Sequence, residues 1–325
     1  MISRTQDEIM ENWPKDWNTP LVSIRCITYN HESYIAQALD SFLIQETDFP
    51  FEIIIHDDAS TDRTADIIRE YEAKYPKIIK PIYEAENQYS KKDGYLRKIL
   101  YNACKGKYTA ICEGDDYWTD SQKLQRQFNW LEDNKKYSAL AENGLILFTA
   151  TGKKELFSTA PERDYCLDDL LIKRRFPTAS VMYQTSIHQY INQHVSNKTI
   201  VIDTILWGIL SQHGLIHYNP IVSSVYRRGC GITESDKIAW AYYSNKFNHQ
   251  INKIFPISKH VKKIREQDHY INLKNGWREA YNKKKFRHII QLLFLMLWWS
   301  PKLFFIDFTH FLGRRLLCSL KKSKH

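Results

Sequence analysis

The chain has 325 residues and is 43% hydrophobic, so we expect one main domain with an appendage rather than one minimal domain or three. Its six cysteines form no C-x-x-C pair, which argues against a zinc site or a disulfide framework. The net charge of +9 is concentrated near the end: residues 246–325 hold 18 lysines and arginines against 4 carboxylates, and residues 1–245 hold 28 against 33. A basic segment of this kind meets nucleic acid or an anionic membrane surface.

The first 130 residues alternate between apolar runs and helical spacings. Residues 1–19 are polar apart from Trp13 and Trp17 and are predicted to lie on the domain surface; without an apolar signal region, they favour a cytoplasmic globular part. Strands are predicted at 21–27, 51–56, 78–83 and 108–112, and helices at 35–43, after a Ser60 or Thr61 N-cap, at 95–103 and after a Thr119 or Asp120 cap. This order predicts an α/β fold with a mainly parallel sheet flanked by helices, in which Pro81 indicates an edge position or a bulge.

The second half of the chain is less regular. Residues 178–183 and 216–226 are predicted to be extended, and 202–210 to form a short helix with Asp203 near its start. From residue 236 onward the sequence is helical, aromatic and basic in character. The predicted division is an extension (1–19), a main domain (20–235) with halves 20–130 and 131–235, and a helical C-terminal appendage (236–325).

Carboxylates gather at predicted strand and helix ends, at Asp57 and Asp58, at Glu113, Asp115 and Asp116, and at Asp203. Each group alone has a simpler reading as a helix cap or a solvated turn. The carboxyl ends of parallel strands meet at one edge, however, and such sheets bind their ligands there. Carboxylates this close favour a hard divalent cation, Mg²⁺ or Mn²⁺. The chain lacks G-x-G-x-x-G after the first strand and lacks G-x-x-x-x-G-K-[ST], which argues against dinucleotide and P-loop sites.

Four short motifs follow one another through the first half. They are Tyr29-Asn30, Asp57-Asp58-Ala59-Ser60-Thr61-Asp62-Arg63-Thr64, Gly106-Lys107-Tyr108 and Glu113-Gly114-Asp115-Asp116-Tyr117-Trp118. In this order and spacing they resemble the family 2 glycosyltransferases, which are inverting enzymes of the GT-A nucleotide-diphospho-sugar transferase fold. The resemblance covers roughly residues 20–232.

The resemblance implies a nucleotide site in the first half of the domain. Asp57 and Asp58 correspond to the pair that binds the nucleoside, and Thr28 and Tyr29 to the base pocket. Arg97 stands where such enzymes often contact the diphosphate. A nucleotide-sugar donor is the implied ligand.

The family's D-x-D motif falls here on Glu113-Gly114-Asp115, with glutamate in the first place. The resemblance implies that Asp115, with Glu113, binds Mn²⁺ or Mg²⁺. It places Asp116 beside them, facing the sugar and the acceptor.

The acceptor half is also similar to the family. Residues 177–182 resemble the acceptor-side strand, and Asp203 resembles the general base that takes the proton of the acceptor hydroxyl. Residues 225–231 resemble the closing motif without its histidine, and Arg227 or Arg228 could pair with phosphate there.

The appendage contains two apolar runs, 289–299 and 303–308, each shorter than the ~20 residues that span a bilayer. Basic residues flank them on both sides, at Lys283, Lys284, Lys285, Arg287, Arg314, Arg315, Lys321, Lys322 and Lys324. Apolar runs between basic groups favour peripheral contact with the cytoplasmic membrane leaflet over nucleic acid. The alternative is that these segments pack on the domain's own surface.

We therefore predict an inverting, metal-dependent glycosyltransferase that uses a nucleotide-sugar, most simply a UDP-sugar. Its acceptor would be a glycan or a lipid-linked saccharide in cell-surface polysaccharide synthesis. Two alternatives stay open: a non-catalytic, membrane-associated nucleotide-binding scaffold, and a phosphoacceptor domain built on Asp57 and Asp58. The second of these would need a further phosphorylatable aspartate and a partner lysine at later strand ends.

Overall fold

A computed structural model gives the fold and describes residues 4–91, 95–194, 202–229, 236–307 and 309. The chain divides into two compact units, Met1–Gly231 and Ile232–His325. The strands of the first unit are β1 Val22–Thr28, β2 Phe51–Asp57, β3 Ile79–Tyr83, β4 Tyr108–Ile111, β5 Tyr117–Trp118, β6 Tyr137–Phe148, β7 Lys154–Leu156, β8 Arg163–Tyr165, β9 Met182–Gln184 and β10 Leu215–Arg228. Its helices are α1 Gln6–Ile9, α2 Ile35–Leu43, α3 Thr64–Lys74, α4 Gln88–Lys91, α5 Tyr95–Ala103, α6 Lys123–Asp133, α7 Leu167–Ile172, α8 His188–His194 and α9 Ile202–Gln212.

The described strands of the first unit form one sheet in the order β3-β2-β1-β4-β9-β6-β10-β5, with β7 beside β6 and β8 beside β10. The first four run parallel, as predicted from the alternation of strands and helices. Strands β1, β2 and β4 are almost wholly buried, because helices cover both faces of the sheet. The prediction of a mainly parallel sheet flanked by helices is confirmed, and β3 with its Pro81 lies at the sheet edge.

Two long strands organise the second half. Strand β10 runs parallel to β6 through 11 register pairs that are interrupted by irregularities. Strand β9 joins the halves because it pairs antiparallel with both β4 and β6. The predicted strand over 178–183 is wrong at its start, since Thr178–Ser180 is a 3-10 turn and β9 begins at Met182.

Helix starts are the other point of difference. Helix α3 begins after Arg63 and α6 after Gln122, neither of which caps through its side chain. The predicted cap Ser60 instead hydrogen-bonds the Asp57 carboxylate, and the Thr61 amide bonds the Asn30 side chain. The Ser60 hydroxyl and the Thr61 amide therefore connect loops and do not cap α3.

The residues before β1 pack into the core of the first unit. Ile9 and Trp13 are buried, and the indole N–H of Trp13 donates to the Thr47 hydroxyl over 3.0 Å. Trp13 also contacts the rings of Trp17 and Phe51 edge-on. This segment therefore contributes to the hydrophobic core.

The second unit is helical over its described residues, with α10 Lys237–Ile254, α11 Lys259–Asn282 and α12 Phe286–Trp299. Helices α10 and α11 approach closely at Gly276, where an added Cβ would lie 2.6 Å from the Cβ of Ala241. Leu273, Leu292 and Met296 fill the core of this unit. Within the part of the chain that the structure describes, no helix has the length and apolarity needed to cross a membrane.

Candidate functional site

The carboxyl ends of β1, β2 and β4 bring the loops after these strands together. The register pairs Thr28 with Asp57, and the backbone N–H of Gly114 donates to the Ile27 carbonyl over 2.9 Å. Parallel strands present their carboxyl ends at the same edge, so the predicted nucleotide and metal residues share that edge. The loops that carry these residues therefore lie side by side at this edge.

Side chains connect the loop after β1 to the loop after β2. Asn30, which has a left-handed backbone (φ 55°), receives the Thr61 amide on its side-chain oxygen over 2.8 Å. The amide of Asn30 donates to the Ser60 hydroxyl, and the amide of His31 donates to the Thr64 hydroxyl. These bonds fix the two loops against each other at the sheet edge.

Asp57 and Asp58 are both buried and both carry structural hydrogen bonds. Asp57 accepts from the hydroxyl and the amide of Ser60. Asp58 accepts from the backbone N–H groups of Gln88 and Tyr89 over 2.6 and 3.0 Å, at the start of α4. Each carboxylate therefore shapes the surrounding loops, besides any contact it makes with a ligand.

Thr28 and Gly114 lie close together between two groups of acids, Asp57 with Asp58 and Glu113 with Asp115 and Asp116. A Cβ at position 114 would lie 2.8 Å from the Thr28 hydroxyl oxygen and 3.0 Å from Nδ1 of His31. Both of these polar atoms are buried and have no hydrogen-bond partner among the described residues. Burial lowers the pKa of His31, and Arg227 acts in the same direction, while the charges of Asp115 and Asp57 oppose the change. His31 thus lies within the field of both acidic groups.

Glu113 is bound to β1 through both carboxylate oxygens. One oxygen lies 3.3 Å from the Arg25 guanidinium, and the other accepts the Ile27 amide over 2.9 Å. Burial raises the pKa of Glu113 to about 7; the charges of Asp203 and Asp115 add to this, and Arg25 opposes it. The first acid of the motif therefore holds the loop onto the sheet.

Asp115 and Asp116 differ in their surroundings. Asp115 is half-buried, and no residue in the described ranges donates a hydrogen bond to its carboxylate. Asp116 is buried and accepts the backbone N–H of Arg227 over 2.9 Å. Burial raises the pKa of Asp116 well above its usual range, and the charge of Asp115 adds to this. Glu113 is also half-buried, so what distinguishes Asp115 is that its carboxylate accepts no hydrogen bond from the described residues.

Arg227 closes the site from β10. Its guanidinium donates to the Asp115 carbonyl and to the Gln37 side chain, and it lies over the rings of Tyr34 and Tyr117 at 4.9 and 4.7 Å. These contacts bind the loop of Glu113, Asp115 and Asp116, which we call the acidic loop, to α2 and β10. Arg227 therefore positions the loop, and its hydrogen bonds go to the protein.

Asp203 lies in the first turn of α9 and reaches the same region. Thr178 donates its hydroxyl to Asp203 over 2.8 Å, and Arg174 donates to the Thr178 oxygen over 3.0 Å. The charge of Asp203 raises the pKa of Glu113, and that of Arg174 lowers the pKa of Asp116. The general base predicted from sequence thus lies within electrostatic reach of the acidic loop.

The two remaining predicted residues have different positions. Tyr29 is half-buried in the loop after β1, beside Thr28. Arg97 lies in α5, and its side chain is outside the described part of the structure. The sequence analysis did not predict Arg25 and Arg174, two cations that contact residues of the site. A charge within the apolar strand β1 was the available signal for Arg25, and no local pattern marked Arg174.

The described residues offer few side-chain ligands for a divalent cation. No group of three or more histidine, cysteine, aspartate or glutamate side chains in the described residues could hold a metal by itself. Mg²⁺ commonly uses one or two carboxylates together with substrate phosphates and water, and Mn²⁺ accepts the same oxygen ligands. The half-buried carboxylate of Asp115, which accepts no hydrogen bond from the described residues, fits that kind of site, in which a nucleotide diphosphate supplies further ligands.

Comparison with known proteins agrees with this geometry. Residues 23–151 match the family Glycosyl transferase family 2. An uncharacterized protein of Mycobacterium tuberculosis is 36% identical over 211 residues, which cover 64% of this chain and 58% of that protein. The Escherichia coli UDP-Glc:alpha-D-GlcNAc-diphosphoundecaprenol beta-1,3-glucosyltransferase WfaP is 34% identical over 146 residues, 45% of this chain and 54% of that protein. The chain thus spans a little over half the length of these relatives.

Two solved structures share the fold. S. aureus TarS in complex with UDP-GlcNAc superposes with a TM-score of 0.63 at 16% identity and covers 87% of this chain and 82% of that chain. The Pyrobaculum calidifontis mannosyltransferase PcManGT, in complex with GDP-Man and Mn²⁺, gives a TM-score of 0.55 at 16% identity and covers 83% and 79%. The architecture is of the GT-A glycosyltransferase type, as the sequence motifs predicted.

Proposed function

We propose that this chain, whose residues 23–151 form a family 2 glycosyltransferase domain, is an inverting, metal-dependent glycosyltransferase. The observation that carries the proposal is a chain of contacts from Asp203 to the segment that follows the acidic residues. Thr178 donates to Asp203 over 2.8 Å, and the carbonyl of the next residue, Ala179, accepts the indole N–H of Trp118 over 2.7 Å. One carboxylate is then available for the acceptor and another for the donor diphosphate.

In the proposed reaction, the acceptor hydroxyl oxygen attacks the anomeric carbon of the donor sugar. Its proton passes to Asp203, which Thr178 holds in place. The bond between the anomeric carbon and the diphosphate oxygen breaks, and its electron pair leaves with the nucleoside diphosphate. Attack opposite the leaving group inverts the anomeric configuration. A Mg²⁺ or Mn²⁺ held by Asp115 would supply positive charge beside the diphosphate.

The nucleotide is proposed to bind over Thr28 and Tyr29, with Asp57 and Asp58 facing the nucleoside. The unpartnered hydroxyl of Thr28 supports a polar ligand at this position. We propose a UDP-sugar as donor, because the name of WfaP specifies UDP-Glc and TarS has been solved in complex with UDP-GlcNAc. WfaP acts on a diphosphoundecaprenol-linked sugar, which supports a lipid-linked acceptor and a role in cell-surface polysaccharide synthesis here. Such an acceptor suits a chain at the cytoplasmic face of a membrane.

A donor screen tests the proposal. The full chain is incubated with UDP-, GDP- and dTDP-sugars, with Mn²⁺, Mg²⁺ or a chelator, and the released nucleoside diphosphate is measured. We expect release from at least one UDP-sugar, dependent on metal and lost in Asp203→Asn. UDP binding by calorimetry without turnover of any donor would instead support the non-catalytic scaffold.

A further inference from the structure

Helix α12 in the second unit has one covered and one uncovered face. Leu292 and Met296 on the covered face are buried in the core of the unit. The opposite face carries large apolar side chains, which we call the apolar stripe: Phe286, Ile290, Phe294, Leu297 and Trp298, exposed by 74%, 70%, 64%, 37% and 71%. Their spacing of three and four residues places them along one side of the helix. Such a contiguous exposed apolar face marks an interaction surface.

The charge around the apolar stripe has a single sign. Between Glu279 and Asp307 the chain contains five lysines and arginines and no carboxylate: Lys283, Lys284, Lys285, Arg287 and Lys302. All of them are exposed. Residues 310–325, which lie outside the described part of the chain, add five more basic residues and again no carboxylate.

We propose that the apolar stripe docks in the plane of an anionic lipid surface. A helix that combines a broad apolar face with flanking lysines and arginines lies at the boundary between headgroups and acyl chains. Phe286 and Trp298 are 12 residues apart, so the stripe is about 18 Å long, too short to span a bilayer and long enough to lie along one. Trp298 suits that boundary because indole has an apolar ring and a polar N–H.

The same charges argue against two other occupants. A second copy of this face would bring two sets of basic residues together, and like charges across an interface oppose association. Residues 310–325, outside the described part of the chain, carry charge of the same sign and so offer the basic rim no complementary charge. An anionic lipid surface suits both parts, because the apolar stripe can enter the acyl boundary and the basic residues can pair with the headgroups.

The helical residues after α12 are bound to α11 through Asp307. Residues 301–307 are helical, and Asp307 accepts the Tyr270 hydroxyl over 3.0 Å and lies 2.6 Å from the Lys274 ammonium. Phe305 and Ile306, exposed by 58% and 45%, extend the apolar area beyond Pro301. Docking therefore uses a preformed surface of the second unit and does not depend on glycosyl transfer.

Vesicle flotation with the full chain tests the proposal, using phosphatidylcholine vesicles with and without phosphatidylglycerol. We expect binding to the anionic vesicles only, weakened by salt. The double variant Phe294→Glu/Trp298→Glu should lower the partition coefficient by about tenfold or more. Ile271→Glu is the matched control, since Ile271 is 53% exposed on α11 of the same unit, and it should bind like the parent chain.

Charge is tested separately by the triple variant Lys285→Gln/Arg287→Gln/Lys302→Gln. Each basic residue near an anionic surface contributes about a fivefold gain in affinity, so we expect a loss of about a hundredfold. Circular dichroism melting confirms that the variants are folded. Equal binding by the Phe294→Glu/Trp298→Glu variant and the parent, or a dimer in light scattering that this variant abolishes without any vesicle binding, would overturn the proposal.

Discussion

The hydroxyl of Thr178 donates a hydrogen bond to the Asp203 carboxylate over 2.8 Å. A hydroxyl has one proton, so this bond leaves only its lone pairs to receive the Arg174 guanidinium, which lies 3.0 Å away. Arg174 itself lies over the rings of Phe157 and Tyr226. The proposed general base is therefore oriented by a chain of contacts from the acceptor half of the domain.

Removing the base should affect the chemical step most. Asp203→Asn keeps the size of the side chain but cannot take a proton, so we expect kcat to fall by about 10²–10⁴. Thr178→Val removes one hydrogen bond to the carboxylate, and we expect about a tenfold fall. Both are measured as initial rates of nucleoside diphosphate release with acceptor present. Thr151→Val, at an exposed turn, is the control.

Arg174 is expected to act through Thr178. Arg174→Met should lower kcat by about the same factor as Thr178→Val, and the double variant should lose no more than either single variant. Losses that add in the double variant would show that Arg174 acts independently of Thr178. A change in KM alone would assign Arg174 to acceptor binding.

Substitutions of the two acids at the D-x-D position, Glu113 and Asp115, should have different effects on activity and stability. Asp115→Asn should lower kcat/KM by about a hundredfold at fixed Mn²⁺ without changing the free energy of unfolding, because its carboxylate makes no described hydrogen bond. Glu113→Gln should cost about 2 kcal/mol of stability at pH 8, above the Glu113 pKa of about 7, because Arg25, only 3% exposed, then loses its charged partner. Urea unfolding and metal titration of the rate measure the two effects. The reverse pattern would make Glu113 the principal metal ligand.

Asp58 should prove important for stability as well as for nucleotide binding. Asp58→Asn turns an amide group towards the N–H groups of Gln88 and Tyr89, so we expect a loss of about 2 kcal/mol. Asp66→Asn breaks only an exposed ion pair with Arg69 and should change stability by less than about 0.5 kcal/mol. Urea unfolding compares the two variants, and UDP calorimetry then tests whether Asp58→Asn also weakens binding. Unchanged stability in Asp58→Asn would contradict the observed contacts.

His188 should make the fold sensitive to acid. Its Nε2 lies 2.8 Å from the Tyr183 hydroxyl and its Nδ1 lies 3.1 Å from the Tyr101 carbonyl, which suits the neutral ring with its proton on Nδ1. Burial lowers the pKa of His188 from 6.5 to about 4. The unfolded chain therefore binds the proton more tightly, and stability should fall as the pH falls from 6.5 to 4, by ~3 kcal/mol in all.

The test is urea unfolding of the parent chain and of His188→Gln between pH 4 and pH 8. The difference between the two free energies of unfolding should shrink as the pH falls, because the glutamine variant lacks the titrating group. A constant difference across this range would mean that His188 does not titrate as its burial implies.

Much of the fold followed from local pattern. The apolar runs before Asp57 and Glu113 are strands, residues 95–103 are helical, and Pro81 lies at an edge, as predicted. These features depend on burial periodicity and backbone preference, which a short stretch of sequence carries. The start of α3 and the 3-10 turn at Thr178 were mispredicted, and there Ser60, Thr61 and Thr178 bond to residues distant in the sequence. The predicted cap Asp120 instead bonds the Gln122 amide before α6 begins.

The sequence by itself determined which strands would run parallel and which acids would meet at their carboxyl ends, since strand order and chain direction follow from the alternation of elements. Only the tertiary structure showed that Glu113 bonds Arg25 and Ile27, and that Arg174 contacts Thr178 beside Asp203. It also showed that the Asp115 carboxylate accepts no hydrogen bond from the described residues. These relationships join residues from different elements, and their electrostatics depend on burial that no local pattern encodes. The sequence predicted the acids of the candidate site, and the packing showed that their surroundings differ.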